Sequence, residues 1–236
     1  MNEVSTQGTA LVTGASTGVG ACYAEQLAER GFDVILVARN RARMNALASR
    51  LTDKTRRSFE VVQADLTDAR DLDRVETLLK TDSSITMLVN NAGMHVTRHC
   101  DENICGVSQL IAANLTALTR LTMAASLAFA SRGRGTIIQV AAVKHDQPSG
   151  VYDGIAAYVL SYSKSLHAEL SDAGIRLQVV LPEPNHRRFK EVARGDANAR
   201  STSATRSVQR LVRTALDGLD LGEFVSIAST RLRSHA

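Results

Sequence analysis

The chain reads as a single α/β domain, residues 1–236, with a doubly wound parallel sheet of about seven strands and helices on both faces. Three observations predict it. Apolar runs of strand length alternate with helical patterns from one end of the chain to the other. The runs are apolar throughout rather than at every second position, which suits strands covered on both faces. The first run, Thr9-Ala10-Leu11-Val12, passes through the glycine-rich stretch Thr13-Gly14-Ala15-Ser16-Thr17-Gly18-Val19-Gly20 directly into a helical pattern at Ala21–Arg30. Strand, glycine turn and helix in that order open sheets of this kind.

The elements follow in order. Strands are expected at Ala10–Val12, Val34–Ala38, Phe59–Val62, Met87–Val89, Thr136–Val140, Leu177–Leu181 and Phe224–Ala228. Between them, Arg41–Leu51 and Asp68–Leu79 repeat Leu and Val at three- and four-residue steps, the spacing of a half-buried helix. Longer helices are expected at Val107–Ser131, Ala156–Asp172 and Ser203–Leu219, and Gly31, Gly133 and Gly174 stand where helices should stop. The least organised stretch is Pro182–Thr202, a polar loop. With 44% hydrophobic residues, only 4% aromatic and no Trp, the core must be aliphatic and Ala-rich.

Composition bounds the function. The net charge of +4 and pI of about 9.2 are mildly basic. Arg187, Arg188, Lys190 and Arg194 cluster, as do Arg231 and Arg233, but without interleaved aromatics they read as solvated charge, not as a nucleic-acid surface. Cys22, Cys100 and Cys105 are an odd set with no CxxC, which suggests free thiols in a reducing compartment. The polar start, Asn2, Glu3, Ser5 and Gln7, does not read as a signal peptide, and no membrane-spanning segment is expected. A cytoplasmic protein is expected.

The glycine turn carries chemistry. Gly14 lets the chain turn off the strand, Gly18 lets the backbone approach a pyrophosphate, and Gly20 lets the helix pack close to the sheet. The helix N-terminus then presents N–H groups and a positive dipole end to an anion. Ligands of such sheets bind beyond the carboxyl ends of the strands, which selects further residues. After the second strand comes Arg39, either a surface charge or a guanidinium fork for a 2′-phosphate, and the expectation is NADP(H) rather than NAD(H). After the third comes Asp65, placed to accept from an adenine amino group, although Asp65-Leu66-Thr67-Asp68 equally suits a helix cap. After the fourth comes Asn90-Asn91-Ala92-Gly93, small and polar where the backbone must pass a cofactor.

These residues, with Asn114, resemble the short-chain dehydrogenase/reductase family in order and approximate spacing over nearly the whole chain. The resemblance implies a Rossmann-like fold. It implies a nicotinamide cofactor bedded on Gly14, Ser16, Thr17, Gly18, Val19, Gly20, Arg39, Asp65, Leu66, Asn91, Ala92, Gly93 and Pro182. It also implies a homodimer or homotetramer through the helices at 107–131 and 156–172.

The family's chemistry uses a Ser to polarise the substrate carbonyl, a Tyr to move the proton, a Lys to lower the Tyr pKa, and an Asn that supports a water beside the Lys. Asn114 matches the last. The Ser position, just past the fifth strand, is Ala142. Tyr and Lys should stand four residues apart, and two registers compete: Tyr152 with Ala156, or Leu160 with Lys164. Beginning at Leu160 would remove eight residues, roughly two helical turns, from the helix and strand that follow. Tyr152 is therefore taken as the retained Tyr, with Ala156 in the Lys position and Lys164 a solvated charge.

An unassisted Tyr has a pKa near ~10 and is protonated at neutral pH, so it can donate to a developing alkoxide but is a poor base. Lys144 and His145, just beyond Ala142, are either a polar surface loop or groups that orient substrate and tune Tyr152. The run His95-Val96-Thr97-Arg98-His99-Cys100 has ligand-like spacing but no carboxylate partner, so no metal is expected. The sequence thus predicts an atypical NADP(H)-dependent oxidoreductase acting on a small, activated carbonyl, imine or conjugated substrate. Alternatives are a non-redox cyclase, dehydratase or isomerase, or a non-catalytic NADP(H)-binding subunit or sensor.

Overall fold

The computed structural model describes residues 7–93, 104–141, 150–182 and 202–228. Seven strands form one sheet: β1 (Thr9–Thr13), β2 (Asp33–Ala38), β3 (Phe59–Gln63), β4 (Ile85–Asn90), β5 (Gly135–Val140), β6 (Ile175–Pro182) and β7 (Val225–Ala228). All neighbours pair in parallel, in the order β3-β2-β1-β4-β5-β6-β7. The chain winds outward from β1 to β3, then returns to the other side of β1. The carboxyl ends of β1 and β4 therefore flank the point where winding reverses, the crevice in which such sheets bind ligands.

Between the strands run α1 (Gly18–Glu29), α2 (Arg41–Thr55), α3 (Ala69–Thr81), α4 (Ile104–Ile111), α5 (Ala117–Ala130), α6 (Gly150–Asp172) and α7 (Thr202–Asp220). Strand side chains alternate between two cores. Ala10, Val12, Val34, Leu36, Val89 and Val180 face the layer that includes Leu27, Leu211 and Leu216. Leu11, Ile35, Val37, Leu88, Ile137 and Leu177 face the layer that includes Leu72, Leu121 and Phe129. Every central strand is buried on both sides, which is why its sequence shows no polar alternation. Ion pairs fasten helix to helix at the surface. Arg30 of α1 reaches Asp217 at 2.8 Å and Asp220 at 2.6 Å on α7, and Lys54 of α2 reaches Glu25 at 2.7 Å and Glu29 at 2.6 Å on α1. Exposed pairs of this kind contribute about 0–1 kcal/mol each.

Four expectations need correction. The first helix begins at Gly18, not Ala21, so Gly18, Val19 and Gly20 form its first turn. The helix expected at 107–131 is broken by a π-helical turn, Ala112–Thr116, closed by an N–H of Ala117 donating to the carbonyl of Ala112. The helix expected from Ala156 starts at Gly150, which puts Tyr152 and Ala156 one turn apart on α6. A fourth concerns the membrane. Gly106–Ala130 is long and apolar enough to cross one, contrary to the sequence reading, but half of it is buried inside the domain. Its Leu110, Leu118, Leu121, Ala125 and Phe129 are core residues.

Candidate active site

The site is assembled at the reversal point. Thr13, the last residue of β1 and 1% exposed, donates from Oγ1 to the carbonyl of Val89 at 3.2 Å. The same oxygen accepts from the backbone N–H groups of Asn91 and Ala92, both at 2.9 Å. One hydroxyl thus joins the ends of β1 and β4. Asn91 completes the join by donating from Nδ2 to the carbonyl of Thr13 at 3.1 Å. Thr13 heads the glycine stretch in the sequence, and a polar residue ending an apolar strand immediately before a glycine is the one visible signal of this role.

The glycine turn fits its assigned part. Gly14 and Gly18 have φ of +65° and +60°, values that side chains rarely tolerate. A Cβ on Gly14 would stand 3.0 Å from Cα of Ala92. A Cβ on Gly20 would stand 2.6 Å from Nδ2 of Asn91 and 2.8 Å from the carbonyl carbon of Gly14, with the Gly14 oxygen closer still. The turn is therefore pressed against the β4 end by contacts only glycine permits. Ser16 and Thr17 complete it, ahead of an α1 first turn that contains no acidic side chain. An uncluttered helix N-terminus behind a glycine turn suits the pyrophosphate of a dinucleotide, and the residues present fit that group.

On the other flank, Arg39 follows β2 and Asp65 follows β3. The Arg39 guanidinium lies 4.0 Å from a carboxylate oxygen of Asp65. The other Asp65 oxygen accepts from the backbone N–H and the hydroxyl of Thr67 at 3.0 and 2.8 Å. Burial alone would raise the Asp65 carboxyl, but these Thr67 bonds and the Arg39 charge outweigh it and hold the group below its usual range. The cap of α3 is a different residue, Asp68, which accepts from Arg70 and Asp71. Asp65 is thus left facing Arg39. Leu66 is buried in the core, so only its backbone is on offer to a ligand.

Past β4, Asn91 and Ala92 are held as described. A Cβ on Gly93 would meet Oδ1 of Asn114 at 2.5 Å. Asn114 is buried in the π-helical turn and donates from Nδ2 to the carbonyl of Leu110 at 3.0 Å. A π turn locally widens the helix and recurs at functional positions. Behind it, Thr122 Oγ1 accepts from Nδ2 of Asn90 at 3.0 Å and from Nε2 of Gln139 at 2.7 Å, tying β4 and β5 to α5. Helix α6, which carries Tyr152 and the half-buried Ala156, packs against the π turn. Lys164 is exposed further along α6, while Val159 and Ser163 face the core. Pro182 ends β6, in register with Ala228.

The structure therefore brings together Gly14, Gly20, Asn91 and Ala92, joins Gly93 to Asn114, and pairs Arg39 with Asp65. Ala142, Lys144 and His145 lie outside the described residues, as do His95 to Cys100 and the basic cluster at 187–194. Among the described residues, no group of three His, Cys, Asp or Glu could hold a metal.

This fold and site define a dinucleotide-binding α/β protein. A family model described as short chain dehydrogenase matches residues 8–192, and the chain belongs to that family. Among curated relatives, the 17-beta-hydroxysteroid dehydrogenase type 3 of Rattus norvegicus is 32% identical over 179 residues. That match covers 73% of this chain and 58% of the relative, so the chain spans little more than half of its length. Among solved structures, the bulky-bulky ketone specific alcohol dehydrogenase from Comamonas testosteroni is 39% identical with a TM-score of 0.81, covering 97% of this chain and 88% of that one. The short-chain dehydrogenase from Sphingobium yanoikuyae, in complex with NADPH, is also 39% identical with a TM-score of 0.81, covering 93% and 87%.

Proposed function

We propose that this short-chain dehydrogenase binds NADP(H) and transfers hydride to a small, activated carbonyl, imine or conjugated substrate. The observation that carries the reading is the glycine turn pressed on Asn91 and Ala92, with Arg39 on the flank where the adenosine half would lie. When bound, the cofactor supplies the hydride. The chain's part is to seat the pyrophosphate on the first turn of α1, to meet a 2′-phosphate with Arg39, and to present Tyr152 as a proton donor. The Sphingobium relative, solved with NADPH, supports the choice of cofactor. With Ala142 and Ala156 where the family has Ser and Lys, carbonyl polarisation and Tyr activation fall to the substrate's own reactivity or to Lys144 and His145.

The same two alanines favour a second reading, a subunit or sensor that binds NADP(H) without turning it over. Calorimetric titration with NADPH and NADH, followed by NADPH oxidation with a panel of activated and unactivated ketones, separates the two. Tight NADPH binding with turnover of activated substrates supports the first reading, and binding without turnover supports the second. Absence of NADPH binding sinks both. We further propose that a second copy covers the outer side of α5, where Met123 and Leu127 are 55% and 68% exposed one and two turns beyond Thr119, whose hydroxyl bonds that of Tyr158 on α6 at 2.8 Å.

A further inference from the structure

The ends of β2 and β3 are joined by a closed circuit that ties Arg39 and Asp65, which the cofactor reading uses, to Gln63, Arg74 and Asp71, which it does not. Nε2 of Gln63, the last residue of β3, donates to the backbone carbonyl of Arg39 at 3.2 Å. The backbone carbonyl of Gln63 accepts from a guanidinium nitrogen of Arg74 on α3. Arg74 also pairs with Asp71 at 3.2 Å. The second Asp71 oxygen accepts from the backbone N–H of Asp65 at 2.8 Å. Asp65 in turn faces Arg39 at 4.0 Å, which closes the ring.

We propose that Gln63, fastened by Arg74 and Asp71, is the positioning residue that sets Arg39 for the 2′-phosphate of NADP(H). The inference rests on the cofactor reading above. Arg39 stands one residue beyond the last rung of the β2–β3 ladder, where Ala38 pairs with Gln63. Its side chain is 71% exposed and its ionic contact is long, so neither packing nor charge fixes where the fork begins. The Gln63 amide adds one hydrogen bond past the end of the ladder and holds the Arg39 backbone. Arg74 and Asp71 keep Gln63 and Asp65 from drifting apart, so the residue for the phosphate and the residue for the adenine move as one unit. A binding geometry held before the ligand arrives loses less freedom on binding. Since Gln63 acts through Arg39, its effect falls on the phosphorylated cofactor alone.

The test is calorimetric titration of the purified chain with NADPH and with NADH, using wild type, Gln63→Leu and Arg39→Ala. Gln63→Leu keeps the bulk and removes the donor at an exposed position. One neutral hydrogen bond corresponds to about threefold to tenfold in affinity. Gln63→Leu is expected to weaken NADPH by about that factor and to leave NADH within about twofold. Arg74→Met, also exposed, should shift the NADPH to NADH ratio in the same direction. If Arg39→Ala weakens NADPH selectively while Gln63→Leu changes neither cofactor or both equally, the positioning role is overturned and the cofactor reading stands. If Arg39→Ala shows no selectivity, the assignment of Arg39 fails and this inference falls with it.

Discussion

Replacing Gly20 by Ala sets two known effects against each other. Gly20 lies in the first turn of α1, and its φ is not positive. Alanine there should stabilise the helix by about 1 kcal/mol on propensity alone. Against this, the new methyl would stand 2.6 Å from Nδ2 of Asn91 and 2.8 Å from the carbonyl carbon of Gly14. Carbon atoms pack at about 3.5–4.0 Å, so the helix start would have to retreat by roughly 1 Å. Neither neighbour yields readily. One is backbone, and the other is held by its bond to the Thr13 carbonyl. Overpacking costs about 1–3 kcal/mol, and rigid neighbours argue for the upper end. The net expectation is a loss of about 2 kcal/mol, or a Tm lowered by about 4–8 °C for a domain of this size. Gly154→Ala is the control, because Gly154 is helical and its Cβ would meet nothing within 4 Å. There only propensity acts, and Tm should rise by about 2–4 °C. Calorimetric melting of both variants measures both signs. A Gly20→Ala variant as stable as wild type, or more so, would refute the close approach of turn and strand end. NADPH affinity should fall with Gly20→Ala by more than about tenfold, since the phosphate bed moves with the helix.

Four further outcomes are expected. Burial pushes the Cys22 thiol up to about 12, against the lowering effect of its bond from Gln26. A disulfide reagent at mildly alkaline pH should therefore label Cys22 only after denaturation, and rapid native labelling mapped to that residue would contradict its burial. Burial alone would raise the Glu25 carboxyl, but Lys54 and Arg50 outweigh it and hold the group low in the folded state. Its contribution is present above the unfolded value of about 4.5 and is lost as pH falls through the lower folded value, so Glu25→Gln should flatten the acid limb of a denaturation profile. If Ala142 and Ala156 occupy the Ser and Lys positions as proposed, Ala142→Ser with Ala156→Lys should raise kcat/KM for an unactivated ketone by roughly 10²-fold, and no gain would count against the Tyr152 register. Leu127→Asp, at an exposed position, should leave melting unchanged but convert an oligomer to monomer on gel filtration, and an unchanged elution volume would discard that interface.

Most of the fold was legible because burial on both faces leaves a plain mark. Leu11, Val12, Ile35, Leu36, Leu88 and Val89 are buried alternately against two helix layers, so their strands read as unbroken apolar runs. The start of α6 was not legible. Gly150, Asp153 and Gly154 are poor helix formers, and the helix forms there because Ile155 and Val159 are buried one turn further on. Tertiary burial overrides weak propensity. The π turn at Ala112–Thr116 was hidden for a different reason. Ala112, Ala113, Asn114, Leu115 and Thr116 all occur in ordinary helices, so nothing in their composition marks the extra residue in the turn.

The site divides along the same line. Gly14, Gly18 and Gly20 could be read because each answers a constraint that a single residue type satisfies, a positive φ or a missing Cβ. Arg39 and Asp65 follow β2 and β3 where the sequence places them, and the structure sets them 4.0 Å from each other. Thr13, Thr122, Gln63 and Arg74 are common polar residues, and their roles come from hydrogen bonds to groups 11 to 79 residues away. Such bonds set geometry without demanding a rare residue, so they leave no mark in one sequence. This bears on Ala142 and Ala156. An alanine is legible only as a loss when a family pattern says what once stood there, and what compensates for it would be another unmarked polar side chain. If the proposed hydride transfer is confirmed, the place to look for compensation is therefore among ordinary hydrogen-bonding residues, by substitution and rate measurement, rather than for a second motif.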